Sequence, residues 1–359
     1  MESMRALYFT EHGGLDKLAY GDLPAPALTA GMVRVATRAA ALNRLDLFVV
    51  SGLPGVQLTL PHVPGSDGAG VVEAISGNVA RFKVGEPVIL NPLLSCGQCE
   101  FCLAGQHSLC VKVKILGEHA SGTYAGLFVA PEGNLLPLPA GRTFEEGAAF
   151  SLVYQTAWRM LTTRSRLRAG EDVLIHGIGS GVSVAALQIA KLAGARVFVT
   201  SSSDEKIAKA RALGADFGFN YAAVDVAAEV LRETGKRGVD VVVDSVGAAT
   251  WMTSLKAVRR GGRIVTCGAT TGPNPEAGIH MTFWKQIEIL GSTMSSHSEY
   301  QDVARLFASG RLTPVVDRVF PLSEGREALE YLKAGKQFGK VVLRVGEQGT
   351  AGTAGTEGT

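Results

Sequence analysis

The sequence predicts an α/β protein of two lobes, the second built on a doubly wound parallel sheet. Three observations carry that prediction. From about Gly170 the chain alternates strand, glycine turn and helix, beginning with "DVLIHGIGSG" and then "VSVAALQIAKLAGA". Apolar strands separated by helices are buried on both faces, which implies parallel pairing. Before that point, from Met4 to about Leu152, short alternating or apolar runs such as "MVRVATRAAAL" and "GAGVVEAIS" are cut by Gly and Pro, the pattern of a strand-rich lobe. The length of 359 residues exceeds the roughly 100 to 200 of one domain.

The elements of the second lobe follow in order. "RVFVTSSS" precedes the helix "DEKIAKARALGA", and "FGFNY" precedes "VAAEVLRETG". "VDVVVDSVG" is followed by "TWMTSLKAVRRGG", read as a helix, then by the strands "RIVTCGATTG" and "IEILGSTM". After Ser295 come the helices "EYQDVARLFASG" and "EGREALEYLKAG" and the strand "GKVVLRV", which should return to the first lobe. The expected division is 1–152 for the first lobe, with a cysteine loop at 94–112, 153–294 for the nucleotide lobe, 295–345 for the return and 346–359 for a tail. That tail, "GEQGTAGTAGTEGT", has no large apolar side chain and reads as disordered.

Composition narrows the function. The formal net charge is only +2, and the short basic clusters at Arg164, Arg166 and Arg168 and at Arg259, Arg260 and Arg263 carry no interleaved aromatics, so no nucleic-acid surface is expected. No apolar run has the length of a membrane span, and the N-terminus lacks the apolar core of a signal peptide. The expectation is a cytoplasmic protein without a membrane partner. In that compartment thiols stay reduced, and clustered cysteines favour metal over disulfides.

Cys96, Cys99, Cys102 and Cys110 lie in "SCGQCEFCLAGQHSLC", each gap short enough for one loop to wrap a tetrahedral ion. Four thiolates suit zinc and close its coordination, so the site adds folding energy and leaves no position for substrate. An iron–sulfur cluster is the alternative, but the spacing lacks the ferredoxin run's CP ending. His107, inside the loop, reads as solvent-facing, and Cys267 as a small core residue.

Together with this loop, "PGSDGAGVV", "QTAWRML", "AALQIAKLAGA", "ALGAD" and "FGKVVL" make residues 4 to 345 resemble the medium-chain dehydrogenase/reductase superfamily, the zinc-binding alcohol dehydrogenases and their quinone oxidoreductase relatives. The resemblance implies a GroES-like catalytic lobe with a structural zinc and a Rossmann lobe. At the places where relatives hold a catalytic zinc this chain has Asn43, Ser66 and Leu152, none of them a zinc ligand. The neighbouring acid is Asp67, and Leu45 stands where a proton-relaying hydroxyl would be. A second zinc on Asp67 with His62 or His119 is the competing arrangement. "LNRLD" and "PGSDGAG" resemble the quinone and enone reductase branch, in which the cysteine loop is usually missing.

The turn "GIGSGVS", Gly177 to Ser183, lets backbone approach a pyrophosphate resting on a helix N-terminus, and Gly179, Ser180, Gly181 and Val182 are the candidate contacts. Its match to GxGxxG is imperfect: the three family glycines fall on Ile178, Ser180 and Ser183. An NAD enzyme carries an acid where the second strand ends; here Ser201 stands there, so NADPH is expected, with NADH as the alternative. Lys206 and Tyr221 could hold a 2'-phosphate, as the resemblance implies, or be a surface charge and a strand-end aromatic. Asp204 reads as a helix N-cap. Gly247 and Gly268 end later strands at the carboxyl edge. The resemblance places nicotinamide contacts near Thr156, Gly268 and Ser292, and Lys340 near the cofactor phosphates.

An unactivated alcohol needs a Lewis acid to lower its hydroxyl pKa. Without one, the expected reaction is hydride transfer from NADPH to a quinone or the β carbon of an α,β-unsaturated carbonyl. Asn43 is the candidate donor to the substrate oxygen, or else a turn cap; Asp46 orients its neighbours or is a buried structural carboxylate. A zinc-containing alcohol dehydrogenase with unconventional ligands and a non-catalytic NADPH-binding protein are the alternatives. A homodimer or homotetramer is the family-based expectation.

Overall fold

The computed structural model describes residues 2–346, so the expected tail lies, from residue 347 onward, outside the described residues. Two sheets dominate. In the nucleotide lobe six parallel strands run Asp172–Ile175, Arg196–Ser201, Phe217–Asn220, Val239–Asp244, Val258–Thr266 and Glu288–Gly291 along the chain, and lie in the order third, second, first, fourth, fifth, sixth. The order reverses between the first and fourth strands, which opens a crevice at their carboxyl ends. The central strands are apolar on both faces because helices cover both: Val173, Leu174, Ile175, Val241 and Val242 have no exposed surface.

In the first lobe a seven-stranded sheet centres on Met32–Ala41, which pairs antiparallel with Asp67–Ile75 on one side and with Leu127–Pro131 and Lys340–Arg344 on the other. The last of these pairings carries the C-terminal segment into the first lobe's sheet. Helix Phe144–Trp158 fastens the lobes. Thr143 caps it, its hydroxyl accepting from the Glu146 N–H, and its Ala-rich faces pack into one core that includes Ala69 and Ile89 of the first lobe and Val173 and Ile175 of the second. The helix then widens into a π-helical stretch, Arg159–Arg164.

Two local expectations change. "TWMTSLKAVRRGG" is helical only over Trp251–Ala257; the chain from Val258 already belongs to the fifth strand, because Val258 pairs with Val239 and buries completely. The N-cap of helix Asp204–Ala212 is Ser203, not Asp204, whose carboxylate instead accepts from Asn220 Nδ2. No described helix is long and apolar enough to cross a membrane.

Candidate active site and metal loop

The cysteine loop is closed at its base by a short antiparallel pair, Leu93–Leu94 with Lys114–Ile115. Within it the four Sγ atoms converge to within 4.8 Å of one another, with Cys99 to Cys102 at 3.6 Å and Cys96 to Cys102 at 3.9 Å. Tetrahedral zinc with bonds of about 2.3 Å sets ligand sulfurs about 3.8 Å apart, so the cage fits that ion. Backbone N–H groups of Cys96 and Lys112 donate to Cys110 Sγ, each at 3.3 Å, which orients that sulfur in the cage. His107 is not solvent-facing as expected: its Nδ1 accepts from the His297 N–H and the two rings meet edge-on at 4.3 Å. The contact docks the loop on the start of helix His297–Ala308, and burial, with His107 and Arg81 adding to it, lowers the His297 imidazole to about 4. Cys267 sits just past a strand end, its thiol pushed up to about 12 by burial.

A buried polar cluster is assembled from residues far apart in sequence. Asn43 stands at the start of helix Arg44–Ser51, where its N–H donates to Asp46 Oδ2 at 2.7 Å. Its side-chain Nδ2 donates to Asp67 Oδ2 at 2.9 Å and, weakly, to Ala41 O at 3.4 Å, while its Oδ1 accepts from Lys340 Nζ at 2.7 Å. Lys340 also donates to Leu42 O at 2.7 Å and to Asp67 Oδ2 at 2.9 Å, so all three of its N–H groups are used. Asp67 Oδ1 accepts the Leu152 N–H at 2.8 Å. Asn43, Asp67 and Leu152 are therefore brought together, and Lys340 joins them. The sequence resemblance places Lys340 near the cofactor phosphates. Its stem does lie against Gly181, where an added Cβ would sit 2.8 Å from Lys340 Cδ, but its ammonium points to Asp67.

Asp46 is fully buried, its Oδ2 also accepting from Tyr124 Oη, and burial pushes its carboxyl up to about 6. Ser66 is fully buried with no partner for its Oγ. His62 and His119 do not join Asp67: His62 Nε2 bonds Gly117 O, and His119 Nδ1 accepts from Ile115 N–H. Among the described residues the converging group of three or more His, Cys, Asp or Glu donors is the four cysteines. Thr156 donates to Leu152 O of its own helix, 3.9 Å from Met294 Sδ.

The glycine turn fits a pyrophosphate. Gly179 has φ +113°, and a Cβ there would come within 2.9 Å of Lys206 Cδ and 3.2 Å of Gln337 O. Ser180 caps helix Gly181–Leu192, its hydroxyl accepting from the Ser183 N–H, and Val182 is in the first turn. Ser201 is buried, its Oγ accepting from Ser203 N–H; Tyr221 is exposed. Lys206 Nζ reaches over the turn to Gly335 O at 2.5 Å. Arg44, from the other lobe, approaches the same glycine and was missed in the sequence. Burial lowers the pKa of both cations, and Arg44 lowers that of Lys206 further. The signal for Arg44 was its place one residue after Asn43, but only the fold sets it opposite Lys206. Gly247, with φ +91°, donates to Asp244 Oδ1, and Gly268 lies 3.5 Å from Ser245 O by its added Cβ. Ser292 Oγ is buried without a partner at the end of the sixth strand, an orphan that a cofactor amide would satisfy.

A glycine turn at the switch point of a doubly wound sheet, beside a buried polar cluster contributed by a second lobe, is the arrangement of a nicotinamide-dependent oxidoreductase. The zinc-binding dehydrogenase family matches residues 181–309 and the alcohol dehydrogenase GroES-like domain residues 29–140. A zinc-type alcohol dehydrogenase-like protein of Schizosaccharomyces pombe is 34% identical over 96% of this chain and 99% of its own length. A quinone oxidoreductase of Pseudomonas aeruginosa is 33% identical over 94% and 99%. A solved NAD-dependent alcohol dehydrogenase superposes with a TM-score of 0.93 at 47% identity, over 96% of this chain and all of that one. The chain belongs to the medium-chain dehydrogenase/reductase superfamily and is an NAD(P)-dependent oxidoreductase.

Proposed function

We propose that this enzyme reduces a quinone or an α,β-unsaturated carbonyl with NADPH, that its zinc is structural, and that no catalytic metal takes part. One observation carries the reading: the side-chain oxygens brought together at this site, Asn43 Oδ1 and Asp67 Oδ2, are turned to the Lys340 ammonium rather than left to grip an ion. When bound, NADPH would supply the hydride. Its transfer to the β carbon of an enone would push the π pair onto the carbonyl oxygen, with a solvent proton for the α carbon and oxidised cofactor as the other product. Asn43 is the residue that would donate to the oxygen as charge develops on it. Ser180, Gly181 and Val182 would receive the pyrophosphate at the helix start.

NADPH over NADH is supported by Ser201, which puts a hydroxyl rather than a carboxylate at the end of the second strand, and by the partly buried cations Lys206 and Arg44 nearby. Tyr221, exposed beside them, is the remaining candidate contact. The 47% identity to an NAD-dependent alcohol dehydrogenase favours a second reading, alcohol oxidation with NAD, in this same pocket. A second copy of the chain is the proposed partner, pairing at the edge strand Glu288–Gly291 to give a homodimer or homotetramer, where Ile279, Phe283 and Trp284 are exposed. Five cysteines without a disulfide suit a reducing compartment, and a cytoplasmic location is proposed.

The test counts zinc per chain and follows NADPH absorbance with quinones, enals and simple alcohols. One zinc with turnover of quinones or enals is expected. Two zincs with turnover confined to alcohols and NAD would establish the second reading. Asn43→Ala should lower kcat by about 100-fold, the scale of losing an oxyanion donor.

A further inference from the structure

The carboxamide of Asn43 can stand only one way round. Lys340 Nζ has donors alone and Asp67 Oδ2, as a carboxylate oxygen, accepts alone, so the amide oxygen must face the lysine and the amide nitrogen the aspartate. The bond to Asp67, at 2.9 Å, engages one of the two Nδ2 hydrogens fully. The other reaches Ala41 O only at 3.4 Å, beyond the usual range for N–H···O, and is held weakly. Lys340 is 3% exposed and Asp67 has no exposed surface, so the charges act through a medium that screens them little.

A cation on the amide oxygen draws electrons from the nitrogen across the conjugated N–C–O unit and makes the remaining N–H a stronger donor. We infer that Lys340 is a positioning residue for the reaction: it orients and polarises the Asn43 carboxamide so that the loosely held N–H stabilises the oxyanion formed when a quinone or enone accepts hydride. The inference rests on the proposed reductase activity and on Asn43 as its donor. Asp67 completes the device by holding both partners, and the Leu152 N–H fixes Asp67 in turn. The positive charge that promotes the reaction is thus one amide removed from the substrate oxygen. It stays inside the protein, and the cofactor phosphates are left to Lys206, Arg44 and the helix start.

The experiment compares Lys340→Met, Lys340→Arg, Asn43→Ala and the double variant Asn43→Ala/Lys340→Met for kcat, KM and the fluorescence-detected affinity for NADPH. Lys340→Met is expected to lose kcat by about 30-fold, part of the effect of a whole oxyanion donor, with NADPH affinity within about threefold of wild type. Lys340→Arg, which keeps a donor on the amide oxygen, should recover most of that loss. On the Asn43→Ala background the lysine change should cost less than about threefold more, because the path it acts through is gone. Fully multiplicative losses in the double variant overturn the inference, and so does a Lys340→Met enzyme with wild-type kcat and much weaker NADPH binding. Should Lys340→Met not fold, the charge-neutral pair Asp67→Asn/Lys340→Met supplies the reading, and wild-type turnover in that variant overturns the inference as well. Failure of the underlying activity looks different: wild-type enzyme that reduces neither quinones nor enals.

Discussion

The Tyr124 hydroxyl donates to Asp46 Oδ2 across 2.5 Å, with both side chains fully buried beneath the pocket. The tyrosine ring lies under Gly65, where an added Cβ would come within 2.4 Å of Tyr124 Cδ1, so only glycine lets the loop before Asp67 pack this closely on the ring. Burial raises the Tyr124 hydroxyl well above its ordinary value and Asp46 to about 6. Asp46 Oδ1 has no partner, which is the structural form of the same desolvation.

That shift fixes a pH dependence. The unfolded carboxyl ionises near 3.8, whereas the folded one keeps its proton to about 6, so the folded chain binds more protons between those values. The group's contribution to stability therefore falls as pH rises from about 4 to 6 and stays low above that, by on the order of 3 kcal/mol for a shift of this size. Urea midpoints of wild type and Asp46→Asn should differ along a slope confined to that window; a pH-independent difference would contradict the assignment.

The cysteine cage should hold one zinc per chain. Cys110→Ser removes the sulfur that two backbone N–H groups orient, and elemental analysis should then find zinc well below stoichiometric. Amide exchange should speed up in residues 93–115 and at the start of helix His297–Ala308, reached through His107, while the six-stranded sheet keeps its protection.

Cofactor choice is testable at one position. Ser201→Asp places a carboxylate where a 2'-phosphate would lie, and like charges in contact cost several kcal/mol. The ratio of kcat/KM for NADPH to that for NADH should fall by about 100-fold, and Lys206→Ala should move it in the same direction by less. A ratio unchanged by Ser201→Asp would remove Ser201 from the site.

Arg159 and Glu299 form a buried ion pair at 2.7 Å that joins the π-helical stretch to helix His297–Ala308. Glu299 also accepts from Thr163 and closes the helix cap by accepting from the Ser296 N–H at 2.6 Å. Glu299→Ala strands the arginine and removes the cap, a loss of about 3 kcal/mol or more that denaturant titration would measure.

Trp284→Glu with Ile289→Lys tests the proposed pairing of copies. Charging this exposed apolar edge should give a folded monomer by light scattering with its cofactor affinity retained.

What the sequence determined by itself is local. The four cysteines fall within fifteen residues, and the strand–turn–helix rhythm repeats over short windows, so loop, sheet and glycine turn follow from spacing and periodicity. Even there Val258 to Gly262 escaped, because a stretch rich in Arg and Gly becomes strand only through pairing with Val239–Asp244. The pocket belonged to the tertiary structure. Asn43, Asp67, Leu152 and Lys340 sit on four elements as much as 297 positions apart, and the sequence could align the first three with a known family without showing where the lysine's ammonium goes. A buried charge has to find its counter-charge wherever the fold brings one near, and that partner is set by how strand Lys340–Arg344 pairs with Met32–Ala41, a long-range event that no window of sequence contains.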